Sequence, residues 1–376
     1  MRCSKYFSYC LILFFFLTKV NAKDIEIFAI PGGVYNLPKS LHNVRIKIIG
    51  SGSQTAPFRI LGDSNKSVMT GESSIFCIAS YVSIENVIFS NNNIDPANKA
   101  LVRIGTVTSN STKNVVIKKC DFRFLKVFPD SDIITQFFWI QATAPKTIID
   151  QCTFEGKQNR LPIIHIDAGY QGNIISNCIF KNVKSRAKGA LEAIRVGLTK
   201  GSSNCKIINN TFSNYFGDSE TISIKADGAS IIGNKFIKCR SGVCIRWGDN
   251  CTIKSNSFIN TISPVRIAGS GNRIEKNVFR GQERGITLMK GGPSYKAIKS
   301  LTIIDNIFYD GFYLRILESE NSFTLPENIK LKGNKKMQNG KKVIIKDRLI
   351  NSDFFKKDFK NETRKDRIKA FKYSVN

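Results

Sequence analysis

Short runs of alternating apolar and polar residues fill most of this chain, broken by Gly, Asn, Asp or Ser. One phrase recurs within them: β-branched residues, then Asn or Cys, any residue, then Phe. It is written, with variations, as VSIENVIFSN, VVIKKCDFRF, TIIDQCTFEG, NIISNCIFKN, KIINNTFSN, SIIGNKFIK, TIKSNSFIN, RIEKNVFRG and TIIDNIFYD. Its phenylalanines are Phe89, Phe122, Phe154, Phe180, Phe212, Phe236, Phe258, Phe279 and Phe308, at spacings of 33, 32, 26, 32, 24, 22, 21 and 29 residues. Self-similarity at such a period marks a repeat architecture. Alternation with period two marks strands, and little of the chain keeps a 3.6-residue period.

A leucine-rich repeat needs a Leu framework that is missing, and propeller blades need a longer, more regular period. A parallel β-helix fits: each coil supplies short strands and turns, and touches only its neighbours. The spacing of 21 to 22 residues is then a bare coil, and longer spacings carry loop insertions. Each Phe is expected to point inward onto the Phe of the next coil. The Asn is expected at a corner, in left-handed backbone, bonded to the Asn above and below. Cys120, Cys152 and Cys178 take the Asn position in three successive repeats, which favours a buried ladder over a disulfide framework. The segment IPGGVYNLPKSLHNVRIKIIG reads as first coil and cap. From about Lys330 the pattern fades, and residues 330–376 hold 16 basic and 5 acidic residues. The expected organisation is a leader over 1–22, a β-helix over 23–335 and a basic extension over 336–376.

The first 22 residues combine Arg2 and Lys5, the apolar YCLILFFFL, and small residues Val20 and Ala22 at cleavage positions, the pattern of a secretory signal peptide. The expected location is secreted or periplasmic. No later stretch is apolar enough to cross a membrane. The chain of 376 residues carries a net charge of +28, which falls to +25 once the three basic residues of 1–22 are set aside. Such an excess repels itself unless it faces an anionic partner. Export argues against nucleic acid and leaves an acidic polysaccharide or an anionic surface. Eight cysteines remain beyond the leader, an even number for an oxidising compartment.

Four cations recur in similar strand settings: Arg195 in EAIRVG, Lys225 in TISIKADG, Arg246 in VCIRWG and Arg266 in SPVRIAG. They precede the next Phe by 17, 11, 12 and 13 residues. Their apolar neighbours turn inward, so the charges turn outward. A single ladder is expected, with about 5 Å between coils. Stacked cations destabilise the fold in isolation and form a track for a polyanion. They also lower the lysine's pKa, which suits it as a general base. Asp218 and Glu220 share parity on the strand that carries Lys225. Either they pair with the ladder cations or they hold a metal ion, for which oxygen ligands suit Ca²⁺.

DSETISIK followed by IRWG, with EAIRVG upstream, resembles polysaccharide lyase family 6, which contains alginate lyases and chondroitinase B. YVSIENVIFSNN and IIDQCTFEGKQNRLP share the likeness, which runs over roughly residues 28–335. The resemblance implies a right-handed parallel β-helix that cleaves uronate-containing polysaccharides by β-elimination. It implies Lys225 as the base that removes the C5 proton and Arg246 as the arginine acting at the glycosidic oxygen. Asp218 and Glu220 match two calcium ligands, Arg195 matches an arginine of the IRIG coil, and Arg284 in RGITL matches a substrate-binding arginine. Three departures stand out. Gly189 occupies the position of an Asn ligand, with Glu192 nearby as another candidate; Asp218 replaces a longer Glu; and Trp247 replaces a His, offering a ring to stack on sugar or pack against a loop.

The resulting expectation is an exported lyase of an anionic polysaccharide, alginate first, with Lys225 as base and Arg246 as acid. A glycosaminoglycan lyase shares that chemistry. A glycan-binding β-helix without catalysis is the alternative from another class. A glycoside hydrolase wants two opposed carboxylates, whereas this face is basic. Only His42 and His165 are present, which argues against a histidine-centred reaction.

Overall fold

A computed structural model describes residues 22–107, 111–126, 136–184, 190–198, 201–309, 311, 314–317, 324–338, 340–353 and 355. The leader 1–21 and Gly189 lie outside the described residues. Among the described residues, thirty-eight short strands wind into three sheets of 12, 13 and 13 strands, each sheet taking every third strand in turn up to the final ribbon. Pairing is parallel and in register from coil to coil until the last coil. There Lys341–Ile344 and Arg348–Ile350 turn back and pair antiparallel with Lys335–Gln338 and Ile329–Lys332. This is the expected parallel β-helix. No described helix is long and apolar enough to cross a membrane.

The nine phenylalanines form one continuous stack inside the coil. Ring centroids of successive residues from Phe89 to Phe308 lie 4.6 to 5.1 Å apart, with planes within 20° of parallel. The ring spacing matches the strand separation, so register and stacking enforce each other. At the turn just before these strands, Asn210, Asn234, Asn256, Asn277, Asn306 and Asn334 form a second buried file. Each Asn from 210 to 306 donates its side-chain amide to the Oδ1 of the next, at 2.9 to 3.0 Å. Cys178 continues that file, its backbone N–H donating to Asn210 Oδ1, and Cys152 follows by donating its N–H to Cys178 Sγ. All eight described cysteines are free thiols and buried.

The corner differs from expectation in one detail. The left-handed residue is not the ladder Asn but the one before it: Asn209, Gly233, Ser255, Lys276 and Asp305 all have positive φ. The ladder residue itself is not left-handed. At Gly233 a Cβ would stand 2.4 Å from Asn209 Oδ1, which accounts for glycine there. Asn256→Ala should leave the Asn234 backbone N–H without its acceptor, take one acceptor from the Asn234 side-chain amide, which keeps the Ile207 carbonyl, and remove the Asn256 amide's bonds to Asn277 Oδ1 and the Ile231 carbonyl. Each buried group left unpaired costs about 1–3 kcal/mol. A clear fall in the denaturant midpoint is expected, with secondary structure retained in its absence.

Candidate active site

The site lies on the outer face of the 12-stranded sheet. Lys225 and Arg246 follow directly on the strands Ile222–Ile224 and Ser241–Ile245, which pair with Ile224 opposite Ile245. The two residues are therefore neighbours in adjacent coils. Arg195 sits in Ile194–Val196 opposite Ser223, and Arg266 in Ser263–Ile267 opposite Cys244.

The expected single ladder is instead two files. Arg195, Ser223, Cys244, Arg266, Thr287 and Arg315 share one register position. Lys225 and Arg246 stand two residues further along, beside Gly197 and Ala268. A step of two preserves the face, so all four cations still point outward. Turns of unequal length hid that step in the distances to the next Phe.

Lys225 is partly buried, with Arg195 in the coil before it and Arg246 in the coil after. Burial first, then the charges of Arg195 and Arg246, push its pKa below the ordinary lysine range, while Glu192 and Glu220 pull the other way. Repulsion by the ladder was the expected cause; desolvation is the larger one. Arg246 lies 3.7 Å from Glu220 Oε1, and its guanidinium carbon is 4.7 Å from the Tyr295 ring centroid. Its side chain donates no hydrogen bond among the described residues, and its Nε is buried without a partner. Its donor edge is thus intact for a ligand oxygen.

The carboxylates pair with the cations. Glu192 is buried and accepts from Arg195 Nε at 2.9 Å and from Nη2 at 2.7 Å on each oxygen. Burial raises the Glu192 pKa, with Arg195 opposing. Glu220 Oε1 accepts from Arg266 Nη2 at 3.3 Å, and the same Arg266 nitrogen donates to the Ser219 carbonyl at 2.8 Å. Asp218 accepts from the backbone N–H of Leu191 and of Ser219. Only Glu220 Oε2 is left buried and without a partner.

Ca²⁺ takes about 6–8 oxygen ligands. Asp218, Glu220 and Glu192 do not meet that need: two of them are committed to guanidinium groups, one to backbone amides, and no group of three His, Cys, Asp or Glu that could hold a metal occurs among the described residues. The described residues, as they are paired here, do not form a calcium site.

Beyond Arg266 the face opens into a cavity of about 160 Å³ lined by Ser219, Arg240, Arg266, Arg284, Thr287 and Arg315, among others. Burial, then Arg284 and Arg266, lower the pKa of Arg315. This cavity gathers Arg266 and Arg284, both expected, with Arg240 and Arg315, which the repeat did not reveal. Arg315 belongs to the Arg195 file, yet the coil that follows has Lys336 opposite Phe308, so no Phe marks its register. Tyr295 was also missed. It folds over the face in a small apolar cluster with Cys244, Ala268 and Met289, and its hydroxyl accepts from Arg266 Nη1 at 3.5 Å. Trp247 is partly exposed next to Arg246 and takes part in no ring stack among the described residues.

In the other direction the Arg195 file continues through His165, Gln141 and Arg103. His165 is buried, stacked on Phe138 at 5.0 Å and bonded through Nε2 to Asp167 at 2.7 Å. Along this one file Arg103 Nε, Gln141 Oε1, His165 Nδ1, Ser223 Oγ and Thr287 Oγ1 are all buried without a hydrogen-bond partner. Such groups are rare in folded proteins, and five of them lie along this one file.

A parallel β-helix with a shielded lysine between two arginines on one outer face has the plan of a polysaccharide lyase. A family model described as Chondroitinase B matches residues 27–373, and the chain belongs to that family of polysaccharide lyases, which are enzymes. No curated protein matches the sequence. Among solved structures, the chain resembles a mannuronic acid specific polysaccharide family 6 lyase from human gut microbiota, at TM-score 0.71 and 19% identity, over 83% of this chain and 79% of that one. It also resembles the family 6 lyase Pedsa3628 from Pseudopedobacter saltans, at 0.66 and 20%, over 82% and 83%. A family 6 alginate lyase in complex with a trisaccharide aligns at 0.53 and 14%, over 88% and 87%.

Proposed function

We propose that the protein is exported and cleaves a uronate-containing polysaccharide, alginate before others, by β-elimination. The observation that carries this reading is the position of Lys225, half-buried between Arg195 and Arg246 in successive coils, a setting that lowers its pKa. The C5 proton of a uronate becomes acidic only when charge on its carboxylate is offset, as preorganised cations do for an enolate-like state. Neutral Lys225 accepts that proton. The C4–O bond then breaks, leaving a C4–C5 double bond, while Arg246 hydrogen-bonds the departing glycosidic oxygen. Trp247, Arg266 and Arg284 are assigned to substrate binding, and the unpartnered polar file to the sugars on either side.

A second reading, a glycosaminoglycan lyase, is favoured by the cavity of Arg240, Arg266, Arg284 and Arg315, which offers more guanidinium groups than one carboxylate uses. Incubation with polymannuronate, polyguluronate, and chondroitin or dermatan sulfate, followed by absorbance of the unsaturated product, separates the two. Activity on the unsulfated uronans is expected; product from sulfated chains alone would select the second reading, and no product from any of them would overturn both. Arg315→Gln should raise KM by about tenfold with a smaller change in kcat, since one charge-assisted bond contributes about 1.5–3 kcal/mol.

A further inference from the structure

The carboxylates on this face point to a departure from a metal-assisted site, and the departure rests on the lyase reading above. Glu192 spends both oxygens on Arg195, and Glu220 lies between Arg246 and Arg266, touching both through Oε1. The outcome is an alternation of charges across three coils in which each acid has an arginine partner. Arg195 and Arg266 are each largely shielded, with side chains 11% and 15% exposed, so their positions are set by these pairs and not by solvent. The Arg195–Glu192 fork fixes that guanidinium plane, while Arg266 is held by one bond to Glu220 Oε1 together with the Ser219 carbonyl. Arg246 is held differently, by the Glu220 charge and the Tyr295 ring, which leaves its hydrogen-bonding edge uncommitted.

We propose that Glu192 and Glu220 are positioning carboxylates for Arg195, Arg246 and Arg266, and that these guanidinium groups, not a divalent cation, supply the positive charge at the substrate carboxylate. A cation entering among these acids would have to break three ion pairs and would meet three arginines and a lysine. Asp218 adds no open ligand, because it closes the turn by accepting backbone N–H groups of Leu191 and Ser219.

The test has two arms. In the first, uronan cleavage is followed in chelator and again with added calcium chloride. Rates within about twofold of each other are expected; a loss beyond about tenfold in chelator that calcium restores would overturn the proposal. In the second, calcium chloride is titrated by calorimetry into the protein alone and into the Lys225→Ala protein with a uronate trisaccharide. No binding heat is expected, and stoichiometric binding in either would overturn the proposal. If no unsaturated product forms under any condition, the lyase reading fails and calorimetry alone decides the metal question. The positioning role has its own readout. Glu192→Gln and Arg195→Gln should each lower kcat at least about tenfold, and the double variant should lose little more than the worse single one, because both act through one group. Additive losses, or recovery of Glu192→Gln by calcium, would overturn it.

Discussion

Replacing Lys225 by alanine should abolish formation of the unsaturated uronate, with kcat falling by about 10²–10⁴-fold, the range supplied by a positioned general base. The folded state should be retained, because Lys225 stands just past its strand and donates only its backbone N–H to the coil below, at 2.8 Å from the Val196 carbonyl. The pH profile supplies a second check. Lys225 acts in its neutral form, so kcat/KM should rise with pH and level off above the lysine's pKa. Burial, Arg195 and Arg246 place that limb below the ordinary lysine value of about 10.4. Arg195→Gln removes one of the lowering charges. The limb should therefore move to higher pH, and the rate at neutral pH should drop through loss of the neutral base as well as of the arginine. A limb that stays fixed would separate the lysine from the chemistry.

The largest expected effect on stability lies in the phenylalanine stack. Phe236 packs between Phe212 and Phe258, 4.8 Å from each and within 12° of parallel. Phe236→Ala removes one ring from a continuous column with no neighbour able to collapse into the gap, since each ring is held by its own coil. Aromatic-to-alanine changes in such cores cost about 3–5 kcal/mol. In a solenoid the cost is local to one interface. Denaturation followed by circular dichroism should show an earlier transition, and it should broaden or split as coils on either side lose their coupling. A single unshifted transition would contradict the stack as the element that joins the coils.

How much could be read before the structure follows from what repeats. Every Phe of the internal stack and every Asn of the file but Asn334 occurs at a recurring phrase, so the inward Phe and the parallel sheets were legible, while the first and last coils lie beyond the nine phrases. Lys225 and Arg246 were legible too, since each follows an apolar strand residue at one coil's distance. What escaped depends on two-dimensional register. Arg195 and Arg266 differ from Lys225 and Arg246 by two residues, which uneven turns concealed, and Arg315 sits where the Phe marker has given way to Lys336. Pairing partners escaped for another reason. Parity places Asp218 and Glu220 on one face, but only the fold brings Glu220 beside Arg246 and Arg266, 26 and 46 residues away, and turns Asp218 to the backbone N–H groups of Leu191 and Ser219.

The reversal of direction at the last coil bears on how the molecules behave toward one another. A stack of parallel strands ends in open backbone groups that can recruit a second solenoid, and exposed edges of this kind seed fibres. Here two of the three sheets finish on strands running the opposite way, with sequences KKVI and RLI, the first fully exposed and the second exposed at Arg348 and Leu349. A newcomer in the parallel sense would meet mismatched hydrogen bonds and a row of lysines. The turned-back ribbon thus gives two of the three sheets an edge that a parallel newcomer does not match.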